Sequence, residues 1–189
     1  MDNDIKKLAL EWSSSGIAID IPLQYYCATR DIFQARIDNM TGYLLSDEKM
    51  DEGSVYMIAA LVGEIGNNSF DHNIGNWPDV AGIFFGYQIN DGIEIVLADR
   101  GRGVLETLKK VRPEIANGQE ALKVAFFEKI SGRAPEARGN GLKFVRESIK
   151  QGENHLTFIS GDAKAELNKD FKIGFVDEKI NGCLAIIKI

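Results

Sequence analysis

Hydrophobic side chains recur at helical spacing in the first quarter of the chain. The pattern predicts a short helix over residues 4–14 and a longer one from about Thr29 to Leu45, where apolar positions return every three or four residues. Between them, Ile17–Ile21 is a β-branched run closed by Pro22, which is typical of an edge strand.

The stretch Val55–Asn73 predicts the central helix of the chain. Its first two turns are apolar on nearly every side, the pattern of a helix enclosed by a core. Further along, Glu64, Asn68 and His72 stand at i, i+4 and i+8, so a carboxylate, an amide and an imidazole share one face. Burying these groups is unfavourable unless a partner satisfies them, which points to a ligand.

Two glycines flank the carboxylate of this helix. Gly63 and Gly66 each weaken a helix by about 1 kcal/mol relative to alanine, so they indicate that another object approaches the backbone closely, with a ligand as the first candidate. The alternative is that the polar residues only mark a helix end entering solvent, where Asn and Asp are common and where His72 would be structural.

The second half of the chain is richer in strands. Two predicted strands, Ala81–Ile89 and Ile93–Ala98, are joined by a turn that contains Asp91-Gly92, a strong hairpin signal. Later strands are predicted at 155–159, 172–176 and 183–189, and the last two are expected to form a hairpin around Asn181-Gly182. Helices are predicted at about 104–111 and 118–130, and a further helix is opened by residues 138–142 and runs to about Gln151.

The clustered helices and hairpin strands predict an α+β fold. We expect a two-layer α/β sandwich, with a mixed, mostly antiparallel sheet covered by helices on one face. The stretch 104–138 is long and rich in glycine and proline, which is typical of a mobile lid. A chain of 189 residues suits one domain. Residues 47–189 would form its body, and residues 1–46 an N-terminal extension packed on it.

Composition and charge exclude several classes of protein. A net charge of −6 and a pI near 5.0 argue against a nucleic-acid partner bound by bulk electrostatics. The two cysteines, Cys27 and Cys183, are far apart and form no CxxC, which fits a reduced protein better than a disulfide scaffold or a cysteine metal site. The charged start and the lack of a long apolar run predict a cytoplasmic protein without a membrane span.

A carboxylate and two glycines follow the second predicted strand. Asp99 could accept a hydrogen bond from an exocyclic amine such as that of adenine, and Gly101 and Gly103 would let the chain turn closely around the ring. The alternative is an ordinary acidic turn after a strand. The spacing fits neither a calcium loop nor a Rossmann fingerprint. Arg100 and Arg102 lie inside this turn and are expected to be solvated.

A second glycine motif, at residues 138–142, opens the predicted helix that runs to about Gln151. Gly139 and Gly141 would leave backbone N–H groups free at the helix N-terminus, which is a ready anion site, and Arg138 and Lys143 would add positive charge. The alternative is a glycine-rich turn between two helices.

Together these three motifs resemble those of a known superfamily. Glu64-x-x-x-Asn68, Asp99-x-Gly101-x-Gly103 and Gly139-x-Gly141-Leu142 are similar, in this order, to the N, G1 and G2 boxes of the GHKL or Bergerat-fold ATPases. That superfamily includes gyrase B, the heat-shock-ninety chaperone, sensor histidine kinases and mismatch-repair ATPases. The resemblance covers about Val55 to the C-terminus. Glu-x-x-x-Asn-x-x-x-His is similar to the N box of the anti-sigma-factor serine kinases.

The resemblance implies ATP and Mg²⁺ as ligands and a role for each matched residue. Glu64 would be the catalytic residue that polarises a water or an acceptor hydroxyl. Asn68 would supply an oxygen to Mg²⁺, and Asp99 would bind the adenine amine. Gly101 and Gly103 would let the chain approach the base closely. Gly139, Gly141 and Leu142 would surround the phosphates, and Arg138 would contact the γ-phosphate.

Some positions depart from the family pattern. Many members carry Gly-Thr in the last strand, where the threonine hydroxyl supports the adenine site, and the corresponding pair here is Gly182-Cys183. A thiol is a weaker hydrogen-bond partner, so a water fills in or the alignment of this strand is wrong. Lys143 replaces a small residue common in histidine kinases. Only two histidines are present and no phosphoacceptor helix pair, which excludes a complete sensor kinase.

Three functions remain open at this point. The first is an Mg²⁺-dependent protein that hydrolyses ATP or phosphorylates a regulatory protein partner. The second is a non-catalytic switch in which ATP closes the lid and changes a protein-binding surface. The third is a scaffold that keeps the fold without the ligand. If two chains pair as a homodimer, residues 1–46 are where the contact is expected.

Overall fold

The computed structural model describes residues 4–14, 16–17, 19–46, 50–128, 141–152 and 154–189. These residues form an α+β structure in which helices pack against one antiparallel sheet. The helices are α1 (Ile5–Ser14), α2 (Arg30–Leu45), α3 (Glu52–Asn73), α4 (Gly103–Lys109), α5 (Gly118–Phe127) and α6 (Gly141–Gln151). The strands are β1 (Tyr26–Cys27), β2 (Ile83–Ile89), β3 (Ile93–Asp99), β4 (His155–Ser160), β5 (Ala163–Leu167), β6 (Phe171–Phe175) and β7 (Cys183–Lys188).

The sheet has the order β1-β2-β3-β7-β4-β5-β6, and every recorded pair of neighbours is antiparallel. The predicted β2–β3 hairpin is confirmed, with Ile89 opposite Ile93. The predicted hairpin of the last two strands is wrong, because β7 lies between β3 and β4 while β6 pairs with β5. Strand β7 is buried along four consecutive residues, so it takes a central place covered on both faces.

Strand β5 is absent from the sequence-based prediction. Its sequence, Ala-Lys-Ala-Glu-Leu, consists mainly of residues that are depleted in strands. Its burial nevertheless alternates, so that the small alanines and Leu167 face the core. The local sequence signal is weak here, and pairing with both β4 and β6 decides the structure.

The two faces of the sheet carry two separate hydrophobic clusters. On one face, α2, α3, α5 and α6 cover a large core that contains Ile93, Ile95 and Leu97 of β3. On the other face, α1 covers a smaller cluster that contains Val96 and Ala98 of the same strand. The predicted sandwich is therefore present, but helices cover both faces, since α1 packs opposite the others.

The N-terminal extension contributes to both clusters. Helix α2 packs its buried side chains against α3, and Thr29 caps it by accepting a hydrogen bond from Ile32 N–H at 3.3 Å. The predicted edge strand at 17–21 is wrong: Ile19–Ile21 has no strand structure, and Ile17 is 85% exposed. A two-residue strand, β1, takes the sheet edge beside β2 instead.

Helices α4 and α5 of the predicted lid are packed into the domain. Leu122 and Phe126 of α5 belong to the main core, and Leu108 of α4 joins Ile115 and Val124 in a further cluster. A lid that began at residue 104 would therefore have to expose this buried surface to open. The rest of the predicted lid, residues 129–138, lies outside the described residues. No helix in the described part of the chain is long and apolar enough to cross a membrane.

Candidate functional site

Helix α3 is the element on which the candidate site is built. It begins at Glu52, three residues before the predicted start, because the Asp51 carboxylate caps it by accepting a hydrogen bond from Ser54 N–H at 3.0 Å. The prediction that its first turns are enclosed by the core is wrong, since Tyr56 is 52% and Met57 41% exposed. The helix buries one apolar face, and the other face is open.

The two glycines of α3 accommodate a neighbouring helix. A methyl group added to Gly66 would lie 2.2 Å from the ring of Phe33 on α2, so this glycine lets the ring pack on the helix backbone. At Gly63 the nearest atom would be 3.9 Å away, on Ile37 of the same helix. The object predicted to approach α3 at Gly66 is thus a core phenylalanine and not a ligand.

Glu64 and Asn68 face the first residue of α6. A methyl group on Gly141 would lie 2.4 Å from Glu64 Oε2 and 3.2 Å from Asn68 Nδ2, so the ends of both side chains lie against the backbone of this glycine. The first N–H groups of a helix lack partners within the helix, and its N-terminus is electropositive. The carboxylate and the amide therefore border a position suited to an anion.

A cleft of about 500 Å³ opens beside Glu64 between α2, α3 and Phe144 of α6. Its walls carry Asp38 and Asn67, and Glu64 is the only predicted site residue among the described residues that line it. The cleft thus reaches the site at the exposed carboxylate and gives a protein segment or water a route to it.

The other side of α3 holds the second predicted carboxylate. Asp99, at the end of β3, is 2% exposed, and its Oδ2 accepts a hydrogen bond from Ser69 Oγ at 2.6 Å. Its Oδ1 accepts from Gly101 N–H at 2.8 Å, and Cys183 N–H also donates to the carboxylate. Burial raises the pKa of Asp99 to about 6, although these three hydrogen bonds act in the opposite direction.

The turn after Asp99 is fixed by α3 and by the loop before β7. Asn73 Oδ1 accepts from Arg102 N–H at 3.1 Å, and a methyl group on Gly101 would lie 2.2 Å from this same amide. Gly103 has φ +72°, in the left-handed region that favours glycine. Gly182, with φ +65°, leaves only 2.3 Å between an added methyl group and Asp99 Oδ1. The turn can therefore form only with small residues on both sides of the carboxylate.

Cys183 and Ser69 both lie against the Asp99 carboxylate. Cys183 contributes its backbone N–H to Asp99, and its Sγ lies 3.5 Å from Ser160 Oγ. Burial raises the pKa of the Cys183 thiol well above its usual value, and the Asp99 carboxylate adds to this. Ser69 on α3 supplies the hydroxyl that binds Asp99.

The prediction that Arg100 is solvated is wrong. Its side chain is fully buried, and it binds Asp79 Oδ2 through Nε at 2.8 Å and Nη2 at 2.5 Å. Its Nη1 donates to the carbonyl of Trp12 on α1. Arg102 is only partly buried, and its guanidinium lies 3.3 Å from Asn76 Oδ1.

The structure describes seven of the nine predicted site residues. Glu64, Asn68 and Gly141 meet at α6, and Asp99, Gly101 and Gly103 form the turn at the end of β3. Leu142 is partly buried and packs against the main core. Arg138 and Gly139 lie outside the described residues. His72 and Lys143 are partly buried.

Three residues that fix Asp99 and its turn were not predicted from the sequence. Ser69 and Asn73 are one turn apart on α3, where Asn73 Nδ2 donates to Ser69 O at 2.8 Å. Ser160 accepts from Val104 N–H at 2.8 Å and so holds the start of α4. The position of Ser69, directly after Asn68, was the one available signal, but its partner is 30 residues away.

The described residues contain no group of three or more His, Cys, Asp and Glu side chains that could hold a metal ion. Comparison with known proteins leaves the family open, because no protein-family model matches the chain and no curated protein matches its sequence.

Proposed function

We propose that the protein binds ATP with Mg²⁺, as the resemblance to the GHKL ATPases implies, and hydrolyses it or transfers its phosphate to a protein partner. The observation that carries this proposal is the convergence of three distant motifs on α3. Glu64 and Asn68 contact the start of α6, and the next residue, Ser69, binds Asp99. Successive helix residues point about 100° apart, so the site curves around α3 from Glu64 through Asn68 to Ser69.

Asp99 is suited to recognise the base. Two backbone N–H groups and one hydroxyl hold the carboxylate in a single orientation, and an ionised carboxylate can accept about four hydrogen bonds, so it has capacity for one more donor. An exocyclic amine in a buried site would supply that donor. The three glycines around it let neighbouring groups pack closely, since an added methyl group would meet Asn73 at Gly101, Ser160 at Gly103 and Asp99 itself at Gly182.

The start of α6 is suited to bind phosphate, and the neighbouring Glu64 to act on the group that attacks it. Glu64 is exposed and borders the cleft, so it can accept a proton from a water or from an acceptor hydroxyl. Asn68 would give one oxygen to Mg²⁺. The ion would neutralise phosphate charge when bound.

Calorimetry with ATP and Mg²⁺, followed by phosphate release and transfer of labelled phosphate to lysate proteins, tests this function. Glu64→Ala should bind ATP and lose turnover by about 100-fold or more, the usual contribution of a general base. Glu147→Ala, which removes an exposed carboxylate on α6 whose recorded partner is Arg146, is the matched control and should retain turnover.

The possible results separate the open functions. ATP binding without phosphate release or transfer would favour the non-catalytic switch. Equal turnover in Glu64→Ala and the wild type would refute the catalytic role. Absence of ATP binding in the wild type, with Mg²⁺ present, would refute the proposal and leave the scaffold.

A further inference from the structure

The charged side chain of Arg100 is fully buried, and it lies directly after Asp99. Its guanidinium makes two hydrogen bonds to Asp79 and one to the carbonyl of Trp12. Burial alone would raise the pKa of Asp79, yet the hydrogen bonds from Arg100 and Val80 N–H outweigh it and keep that pKa below its usual value. The pair is therefore ionised at neutral pH.

The alternation of β3 explains the placement of both residues. Ile93, Ile95 and Leu97 face the large helical layer, and Val96 and Ala98 face α1. The same alternation sends Asp99 toward α3 and Arg100 toward α1. Consecutive residues at the end of one strand thus connect the candidate base site to the opposite face of the sheet.

The C-terminus of α1 also binds the loop before β7, which lies on the other side of Asp99. Helix carbonyls in the last turn lack partners within the helix and favour a cation, which Arg100 provides at Trp12 O. The next carbonyl, of Ser13, accepts from Asn181 N–H at 2.9 Å. Asn181 precedes Gly182, which packs against Asp99. Both loops that enclose the carboxylate are therefore bonded to adjacent carbonyls of α1.

We propose that Arg100 is a positioning residue for the base site, which it fixes by bonding the chain after Asp99 to α1 and Asp79. In its application to ATP this inference rests on the proposed function. Stability alone gives no reason for the arrangement, since the Asp79 side chain is 37% exposed and ion pairs in contact with solvent contribute little, while fully buried pairs are often no more stabilising than well-packed apolar residues. Its geometric effect is specific, because it fixes the backbone that donates to Asp99.

Hydrogen exchange of the two amides that donate to Asp99 tests the inference without any ligand. In Arg100→Met, the Gly101 and Cys183 amides should exchange at least about tenfold faster, which corresponds to the loss of a hydrogen bond to a charged group. Amides of β5 and β6, at the far edge of the sheet, should keep their rates. Arg112→Met removes a partly exposed arginine that also binds two carboxylates, and it should change neither set of exchange rates.

Asp79→Asn removes the negative charge of the same ion pair at its more exposed residue. This variant replaces Arg100→Met in the exchange experiment if Arg100→Met does not fold. If the exchange rates of the Gly101 and Cys183 amides rise by the same factor as those of β5, Arg100 only stabilises the fold. If the exchange rates of the Gly101 and Cys183 amides do not change, Arg100 does not hold the turn. Either result overturns the inference.

Nucleotide selectivity gives the second measurement. Arg100→Met should lose most of the preference for ATP over GTP, because the two differ at the base that Asp99 would contact, and Arg100→Lys should restore part of it. An unchanged ATP to GTP ratio overturns the positioning role. If the wild type binds neither nucleotide, the proposed function fails, and the exchange experiment still decides whether Arg100 fixes Asp99.

Discussion

The buried carboxylate of Asp99 should make the folded protein less stable at neutral pH than it would be with a neutral side chain. Its pKa is about 6 in the folded state and 3.8 in its ordinary state. Because the folded pKa is raised, the stability linked to protonation is fully present below pH 3.8 and is lost as the pH rises through 6. The difference of about two pH units corresponds to about 3 kcal/mol at pH 7 and above.

Asp99→Asn should recover this free energy, because asparagine has the same shape and no charge. Its oxygen can accept from Gly101 N–H, which donates to Oδ1 at 2.8 Å in the native protein. Its NH₂ group would face Ser69 Oγ, which can turn from donor to acceptor. The variant should therefore unfold at a higher urea concentration than the wild type at pH 7, by up to about 3 kcal/mol in the free energy of unfolding.

Urea unfolding of both proteins between pH 4 and pH 8 is the assay. The stability of the variant relative to the wild type should rise between pH 4 and pH 7 and then level off. Asp51→Asn is a control with a different pH window: hydrogen bonds from Ser54 lower the pKa of Asp51 below 3.8, so the stability that its charge contributes is already present above pH 3.8, and the stability difference for this variant should change little between pH 4 and pH 8. A stability difference for Asp99→Asn that stays constant or falls with pH would refute the reasoning.

The same variant should lose ATP affinity while gaining stability, since the amide would present a donor or a weaker acceptor to the base. A loss of affinity together with a gain of stability is expected of a residue whose position serves binding and not folding. A variant that is more stable and binds ATP as the wild type does would separate Asp99 from the proposed site.

Three glycine substitutions give further predictions. Gly66→Ala should lower the free energy of unfolding by about 1–3 kcal/mol, because its methyl group would overlap the Phe33 ring, whereas Gly63→Ala should raise it by about 0.5–1 kcal/mol. Equal effects of these two variants in urea unfolding would contradict the close packing at Gly66. Gly141→Ala should displace the flexible end of the Glu64 side chain. The variant should release phosphate more slowly than the wild type with little change in thermal stability, and a turnover equal to that of the wild type would argue against this contact.

Local sequence signals predicted most of the elements. Helix α2 was predicted from its apolar periodicity, and the β2–β3 hairpin from Asp91-Gly92. The place of β7 depends on pairing with β3 and β4, whose residues are far away in the chain, so sequence proximity to β6 was misleading. The exposed Ile17 shows the opposite limitation: a β-branched run needs a partner strand and a core before it becomes a strand.

The candidate site residues offered by the sequence are the chemically distinctive ones. A carboxylate followed by two glycines identified the Asp99 turn, and spacing on one helix identified Glu64 and Asn68. Ser69 was missed because a serine beside an amide has no distinctive pattern, and its role follows only from the approach of β3 to α3. The prediction that Arg100 is solvated was wrong because the alternation of β3 continues one residue past Asp99. Arg100 therefore faces the same buried side of the sheet as Val96 and Ala98.

This continued alternation changes the interpretation of the N-terminal extension. Helix α1 lies on the face of the sheet opposite α3, so a division of the chain at residue 46 would treat it as peripheral. Yet Trp12 and Ser13 bind the residues that adjoin Asp99 and Gly182. Helix α1 covers the apolar side chain of Phe84, which would be exposed if the helix were absent. The guanidinium of Arg100 would also lose a buried acceptor, the carbonyl of Trp12. The extension is therefore part of the framework that sets the geometry around Asp99.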